Sequence, residues 1–197
     1  MISILIPIYN YDVFPLVSEL HKQCLANKID FEILCQDDVS NHFLNENQKI
    51  NSLENCNFSI NNSNLGRGKN RNDLAQKAKH EWLLFMDCDT FPTQDDFIKN
   101  YISPTHKEGQ KVIFGGIKYQ KQKPETKQLL RWVYGNARET IPVEKRNSNP
   151  NTTALTSNLL IEKEVFISNP FDESITKYGY EDLVFLSDLK KKGIIVK

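Results

Sequence analysis

The sequence predicts a single α/β domain with a mostly parallel central sheet and helices on both faces. Strand-like and helix-like patterns alternate along it, the layering signature of such folds. Its 197 residues suit one domain with a substantial core. No internal repeat and no domain boundary divides it.

The apolar run Ile2 to Ile6 predicts the first strand, with Pro7 as its stop. Pro15 opens a helical stretch in which Leu16, Leu20 and Cys24 recur at i, i+4 and i+8. Asp30 to Gln36 reads as the second strand, closed by Asp37 and Asp38. Residues 41–64 hold nine Asn and little periodicity, which predicts a loop-rich connection with one short strand near Phe58 to Ile60. A basic helix follows, then the buried strand Trp82 to Met86. Beyond it, Phe97 to Ile102 reads as a short helix and Val112 to Gly115 as a strand. Glu125 to Asn136 reads as an amphipathic helix with Leu129, Leu130, Trp132 and Val133 on its buried side. The polar, proline-containing residues 142–156 suggest a mobile loop that could serve as a lid. Ser157 to Ile161 reads as a strand, Glu181 to Lys192 as a helix stopped by Gly193, and Ile194 to Val196 as a last strand.

Twenty-five basic residues balance twenty-five acidic ones, so no global field draws the chain to nucleic acid or anionic lipid. Cys24, Cys35, Cys56 and Cys88 lack C-x-x-C spacing and read as free thiols of a reducing compartment, which predicts a cytoplasmic protein. No signal peptide and no apolar run of the ~18 residues a spanning helix needs is visible, which leaves peripheral membrane association open. The four His have no metal-ligand spacing.

Two segments carry the chemistry. The stretch from Asn64 to Thr90 ends in Asp87-Cys88-Asp89, and YGYEDLVF (Tyr178 to Phe185) supplies a second carboxylate pair, Glu181 and Asp182. With twelve Asp in the chain, an Asp-x-Asp triplet arises by chance about 0.7 times, so context must carry the reading. Here the triplet follows a buried strand, where open α/β sheets bind ligands. Hard oxygen ligands there suit Mg²⁺ or Mn²⁺ shared with a diphosphate, since these ions take one or two carboxylates plus phosphate oxygens.

Five segments in order, SILIPIYN, FEILCQDDVS, NLGRGKNRNDLAQKA, WLLFMDCDT and YGYEDLVF, resemble the family 2 glycosyltransferases from residue 2 to about residue 190. The resemblance implies a Rossmann-like GT-A fold and an inverting enzyme using a nucleotide-sugar donor, with residues 1–90 as the donor half and 91–197 as the acceptor half. By position it places Pro7 and Tyr9 around the base and Asp38 on a uracil-like edge. It sets Arg71 facing the diphosphate, Asp87 on the ribose or sugar, and Asp89 on Mn²⁺ or Mg²⁺. It implies Asp182 as the base for the acceptor hydroxyl, with Glu181 beside it binding the acceptor or orienting the loop. The physics agrees: a base lacking an imide hydrogen would leave Asp38 unpaired, and the Arg71 fork matches phosphate oxygens whereas Arg67 and Lys69 read as solvated. The acceptor implied is a glycan or lipid-linked molecule.

Gln128-Leu129-Leu130-Arg131-Trp132 matches the Q-x-x-R-W box of processive synthases but precedes the Glu-Asp segment instead of following it, so Trp132 is read as core. Many relatives continue past the last strand with a metal-binding His, and no His follows His106, so either Asp89, diphosphate and water alone hold the metal or the acceptor half is a shortened form. Two alternatives remain. One is an inactive nucleotide-sugar-binding or scaffold domain of the same fold. The other is a D-x-D phosphatase, in which a Thr would stand where Phe91 does.

Overall fold

The computed structural model describes residues 1–106, 109–176 and 179–197. Tyr178, which opens the YGYEDLVF segment, lies outside the described residues. The strands are β1 (Ile2–Ile8), β2 (Phe31–Asp37), β3 (Cys56–Ile60), β4 (Trp82–Met86), β5 (Val112–Phe114) and β6 (Asn158–Glu162). They form one sheet in the order β3-β2-β1-β4-β6-β5. β3, β2, β1 and β4 are mutually parallel, and β6 runs antiparallel to both β4 and β5. The mostly parallel α/β sheet is therefore as expected.

Strand alternation divides the core into two layers. Ile2, Ile4, Ile6 and Ile8 of β1 and Leu84 and Met86 of β4 face one side, where Leu16, Val17, Leu20 and Cys24 of helix α1 (Phe14–Ala26) cover them. Between β2 and β3 lies the short helix α2 (Leu44–Gln48). Leu5, Leu83 and Phe85 face the other side, against Leu74 and Ala75 of α3 (Arg67–Lys77). Continuous apolar runs follow directly from burial on both faces.

Pro7 does not stop β1, which continues to Ile8 with Pro7 paired to Gln36 of β2. The Ile8 carbonyl accepts from Asp38 N at 2.9 Å, so Ile8 points to β2 and Pro7 to the β4 side. There the β1–β4 ladder has already ended at Leu5–Phe85, and no donor is missed. Beyond Leu5–Phe85 the ends of β1 and β4 are unpaired at the carboxyl edge of the sheet, the place where open α/β sheets form their ligand crevice.

Other expectations need correction. Residues 142–156 form α6 (Val143–Ser148) and α7 (Pro150–Thr153) instead of a loop. They are tied down by Arg146, whose Nη1 donates to Phe114 O at 3.2 Å, and by buried Asn151, whose Nδ2 donates to Ile194 O at 2.9 Å. The segment expected as a last strand contributes a single bridge, Val196 to Val112. Helix α5 (Thr126–Arg138), which follows α4 (Phe97–Ile102), exposes the side expected to be buried: Leu130 and Val133 face solvent and Trp132 is only partly covered. The remaining helices are α8 (Lys163–Ile167) and α9 (Glu181–Lys191).

One backbone position is strained. Val39, between Asp38 and Ser40, has φ +65°, a left-handed conformation that a β-branched side chain rarely adopts. Asp37 imposes it, taking Ser40 N at 2.7 Å and Ser40 Oγ at 2.6 Å and folding the chain back at the strand end. Val39→Gly is expected to raise unfolding free energy by about 1 kcal/mol, read by urea denaturation; an unchanged or lower stability would show that Val39 is relaxed.

Candidate active site

The crevice lies at the topological switch point, where the chain, having built outward from β1 to β2 and β3, crosses to β4 on the other side. Parallel strands deliver their carboxyl ends to this edge. Tyr9 follows β1 and is 55% exposed, with Pro7 partly buried behind it. Asp87 and Asp89 follow β4. Because β6 is antiparallel, its beginning comes to the same edge: Asp87 N donates to Ser157 O at 2.9 Å.

Asp38 is buried and already occupied by its own chain. Its Oδ1 accepts from Leu65 N at 2.7 Å and Asn61 Nδ2 at 2.9 Å, and its Oδ2 from Gly66 N at 2.9 Å. These contacts anchor the turn that starts α3. A carboxylate has about four acceptor positions, so about one is left for a ligand.

The two arginines of α3 stand one turn apart, at i and i+4, and so share a face. Both hold Asp87: Arg71 Nη2 meets Oδ1 at 2.6 Å and Arg67 Nη2 meets Oδ2 at 3.4 Å. Arg71 is 1% exposed and lies over the Phe171 ring, 5.5 Å from its centroid. It is thus buried and engaged with Asp87 beneath the edge of the sheet, whereas the resemblance sets it facing the diphosphate. Arg67, read from the sequence as a solvated residue, is the one at the crevice surface. Its Nε also pairs with Glu181 Oε1 at 3.0 Å. The i, i+4 repeat with Arg71 was the signal that could have found it.

Glu181 and Asp182 occupy the first turn of α9. Glu181 is buried on Arg67 and accepts from Gly179 N at 3.1 Å. Asp182 Oδ1 accepts from Thr156 Oγ1 at 2.6 Å. Burial pushes the Asp182 carboxyl up from its ordinary value; Arg71 and the Thr156 hydroxyl pull the other way, and Asp87 and Glu181 add to the rise. Thr156 lies in a stretch whose composition gave no hint of a site.

Asp89 differs from Asp87 in having no ion-pair partner among the described residues. Loss of surrounding water and then the Asp87 charge raise its carboxyl above the ordinary value. Such a group gains from a cation. No set of three His, Cys, Asp or Glu among the described residues could enclose a metal. One free carboxylate at an open crevice nevertheless fits Mg²⁺ or Mn²⁺, which complete their shells with phosphate and water.

The chain matches the model of glycosyl transferase family 2 over residues 3–168 and belongs to that family. Similar solved structures include S. aureus TarS, at 20% identity over 94% of this chain and 32% of that one, with TM-score 0.71. The mannosyltransferase PcManGT from Pyrobaculum calidifontis, in complex with GDP-Man and Mn²⁺, is 13% identical over 99% of this chain and 53% of that one, with TM-score 0.65. Glucosyl-3-phosphoglycerate synthase from Mycobacterium tuberculosis, in complex with Mn²⁺, UDP and glucosyl-3-phosphoglycerate, is 15% identical over 100% of this chain and 68% of that one, with TM-score 0.66. At these identities the likeness concerns the GT-A fold. The chain spans about a third of TarS and about half of the shorter TarS 1–349. No curated protein matches it. No helix among the described residues is long and apolar enough to cross a membrane.

The two arginines are expected to separate on substitution. Arg71→Met should cost about 2–4 kcal/mol of stability, because Asp87 loses its buried partner. Arg67→Met should cost less, about 1–2 kcal/mol, since Arg67 itself is partly solvated although buried Glu181 loses its partner. Equal costs in urea denaturation would contradict the assignment of support and surface roles.

Proposed function

We propose that this domain transfers a sugar from a nucleotide-sugar, a UDP-sugar by preference, to the hydroxyl of a glycan or lipid-linked acceptor, with inversion at the anomeric carbon. The observation that carries the reading is the gathering at one edge of the sheet of an immobilised carboxylate, Asp87, one without an ion-pair partner among the described residues, Asp89, and a half-buried one with a raised pKa, Asp182. Family membership supports the reaction class. The UDP and UDP-GlcNAc complexes of TarS support the choice of donor.

Tyr9 offers an exposed ring for a nucleobase to stack on, beside Pro7. The acceptor position left on Asp38 suits a base imide hydrogen. Asp87, locked by two arginines, is oriented to receive ribose or sugar hydroxyls. Asp89 would hold Mn²⁺ or Mg²⁺, which when bound supplies positive charge to a departing diphosphate. Arg67, at the first turn of α3, adds a guanidinium and a helix N-terminus to the same end of the crevice.

Asp182 takes the acceptor proton. Its raised pKa makes it a stronger base than a solvated Asp. Thr156 fixes one carboxylate oxygen and leaves the other for the hydroxyl. Glu181, through Arg67, ties the base-bearing helix to the donor-side carboxylate. One displacement by an oxygen activated in this way inverts the anomeric centre.

The first test is calorimetric titration of UDP with and without Mn²⁺. Metal-dependent binding that Asp89→Ala abolishes is expected; no binding of UDP or GDP with any divalent metal would sink the donor site. Asp182→Asn should lower transfer about 10²–10⁴-fold with UDP binding retained. The same variant should be more stable than the parent near neutral pH. A carboxyl whose pKa is raised by folding favours the folded state when protonated and loses that contribution as pH rises through the folded value. The advantage of Asn should therefore vanish as pH falls below the unfolded Asp range, a trend that thermal melts across pH would expose.

A further inference from the structure

Helix α5 is inverted relative to an ordinary surface helix. At about 100° per residue, Leu129, Leu130, Val133, Tyr134 and Ala137 form one apolar stripe and Gly135 lies roughly opposite. Such a stripe normally faces the core. Here the Gly135 side packs inward, so closely against Tyr119 that a Cβ on Gly135 would lie 2.0 Å from the ring Cζ. Two polar contacts tie the helix to the segment before it: the Tyr119 hydroxyl donates to Glu139 Oε2 at 2.5 Å and Trp132 Nε1 donates to Gln120 O at 2.7 Å, while Arg131 Nη1 holds the other Glu139 oxygen from within the helix at 2.6 Å. The stripe is left outward, with Leu130 81%, Tyr134 55% and Val133 51% exposed; Val143 of α6 is exposed as well.

The charges around the stripe are one-sided. Residues 117–148 contain eight Lys and Arg against three Glu, a net +5 in a chain whose formal charge is zero. Lys121, Lys123, Lys127, Arg138 and Lys145 are exposed and enter no salt bridge among the described residues. An apolar face rimmed by unpaired cations is complementary to a surface that is apolar within and negative at its rim. A second copy of this chain is a poor occupant, because pairing two such faces brings like charges together.

We propose that α5 docks on an anionic phospholipid bilayer, with Leu130, Val133 and Tyr134 at the boundary between headgroups and acyl chains and the flanking cations against the headgroups. Docking requires no insertion of a spanning helix and does not depend on the donor chemistry. Arg131 and Tyr119, on the inner side, lie within electrostatic reach of Asp89, so the docked face and the crevice are neighbours.

The test is sedimentation of the full chain with phosphatidylcholine vesicles and with mixed phosphatidylcholine–phosphatidylglycerol vesicles, at low and high salt. Binding to the anionic vesicles alone, weakened by salt, is expected. Leu130→Glu combined with Val133→Glu should abolish it. Lys123→Ala and Lys127→Ala should each reduce partitioning about fivefold. Circular dichroism melts of the variants check folding without reference to nucleotide. Three results would overturn the proposal: no vesicle binding by the parent chain, vesicle binding that survives the paired Glu substitutions, or a dimer in sedimentation equilibrium that those substitutions disperse while vesicles are ignored.

Discussion

The grip of Arg67 and Arg71 on Asp87 is the contact on which the rest of this site depends. Burying a guanidinium to 1% exposure is costly, and Arg71 has two guanidinium nitrogens with no hydrogen-bond partner. The carboxylate at the end of β4 and the ring of Phe171 offset part of that cost. Phe171 in turn stacks on Phe185 of α9 and meets Phe85 of β4 edge-on. Strand, helix α3 and helix α9 are therefore referenced to one cation, and the two carboxylate-bearing segments cannot shift independently.

Around that anchor, the crevice is a product of topology and one proline. β1 and β4 cease to pair beyond Leu5–Phe85, where Pro7 has no donor to offer, and the antiparallel return of β6 brings Thr156 and Ser157 to the opening. A parallel β6 would have delivered its far end instead, and Asp182 would lack the hydroxyl that orients it. Asp38 adds the third constraint. By holding the amides of Leu65 and Gly66 it sets where α3 begins, and hence where Arg67 and Arg71 stand.

Much of this was legible in the sequence, for physical reasons. Strands buried on both faces leave continuous apolar runs, so Trp82–Met86 was bounded correctly and the carboxylates beyond it were placed at the right edge. Helices with an apolar side toward the core, α1 above all, announced themselves by spacing. What was missed turns on contacts that leave no periodic trace. Gly135 and Tyr119 reverse α5 against its own apolar pattern. Asn151 and Arg146 convert a polar, proline-containing stretch into two anchored helices. The difference between Arg67 and Arg71 is one of depth, and two arginines on one helical face look alike in sequence.

The unfavourable features of the molecule gather where the crevice is. Val39 is strained, Arg71 is buried with unused donors, and Asp182 is held where its charge is disfavoured, all at the carboxyl edge. At the opposite edge comparable polar groups find simple partners: the Ser3 hydroxyl donates to Glu32, and Glu32 also accepts from Lys79 N. His80 and His21, whose Nε2 atoms lack a hydrogen-bond partner, are exceptions there. Local rules yield where a site must keep charges poised for a ligand. The distribution of strain thus points independently to the edge that the family assignment and the carboxylates mark, and it explains why stability and transfer are expected to move in opposite directions at Asp182.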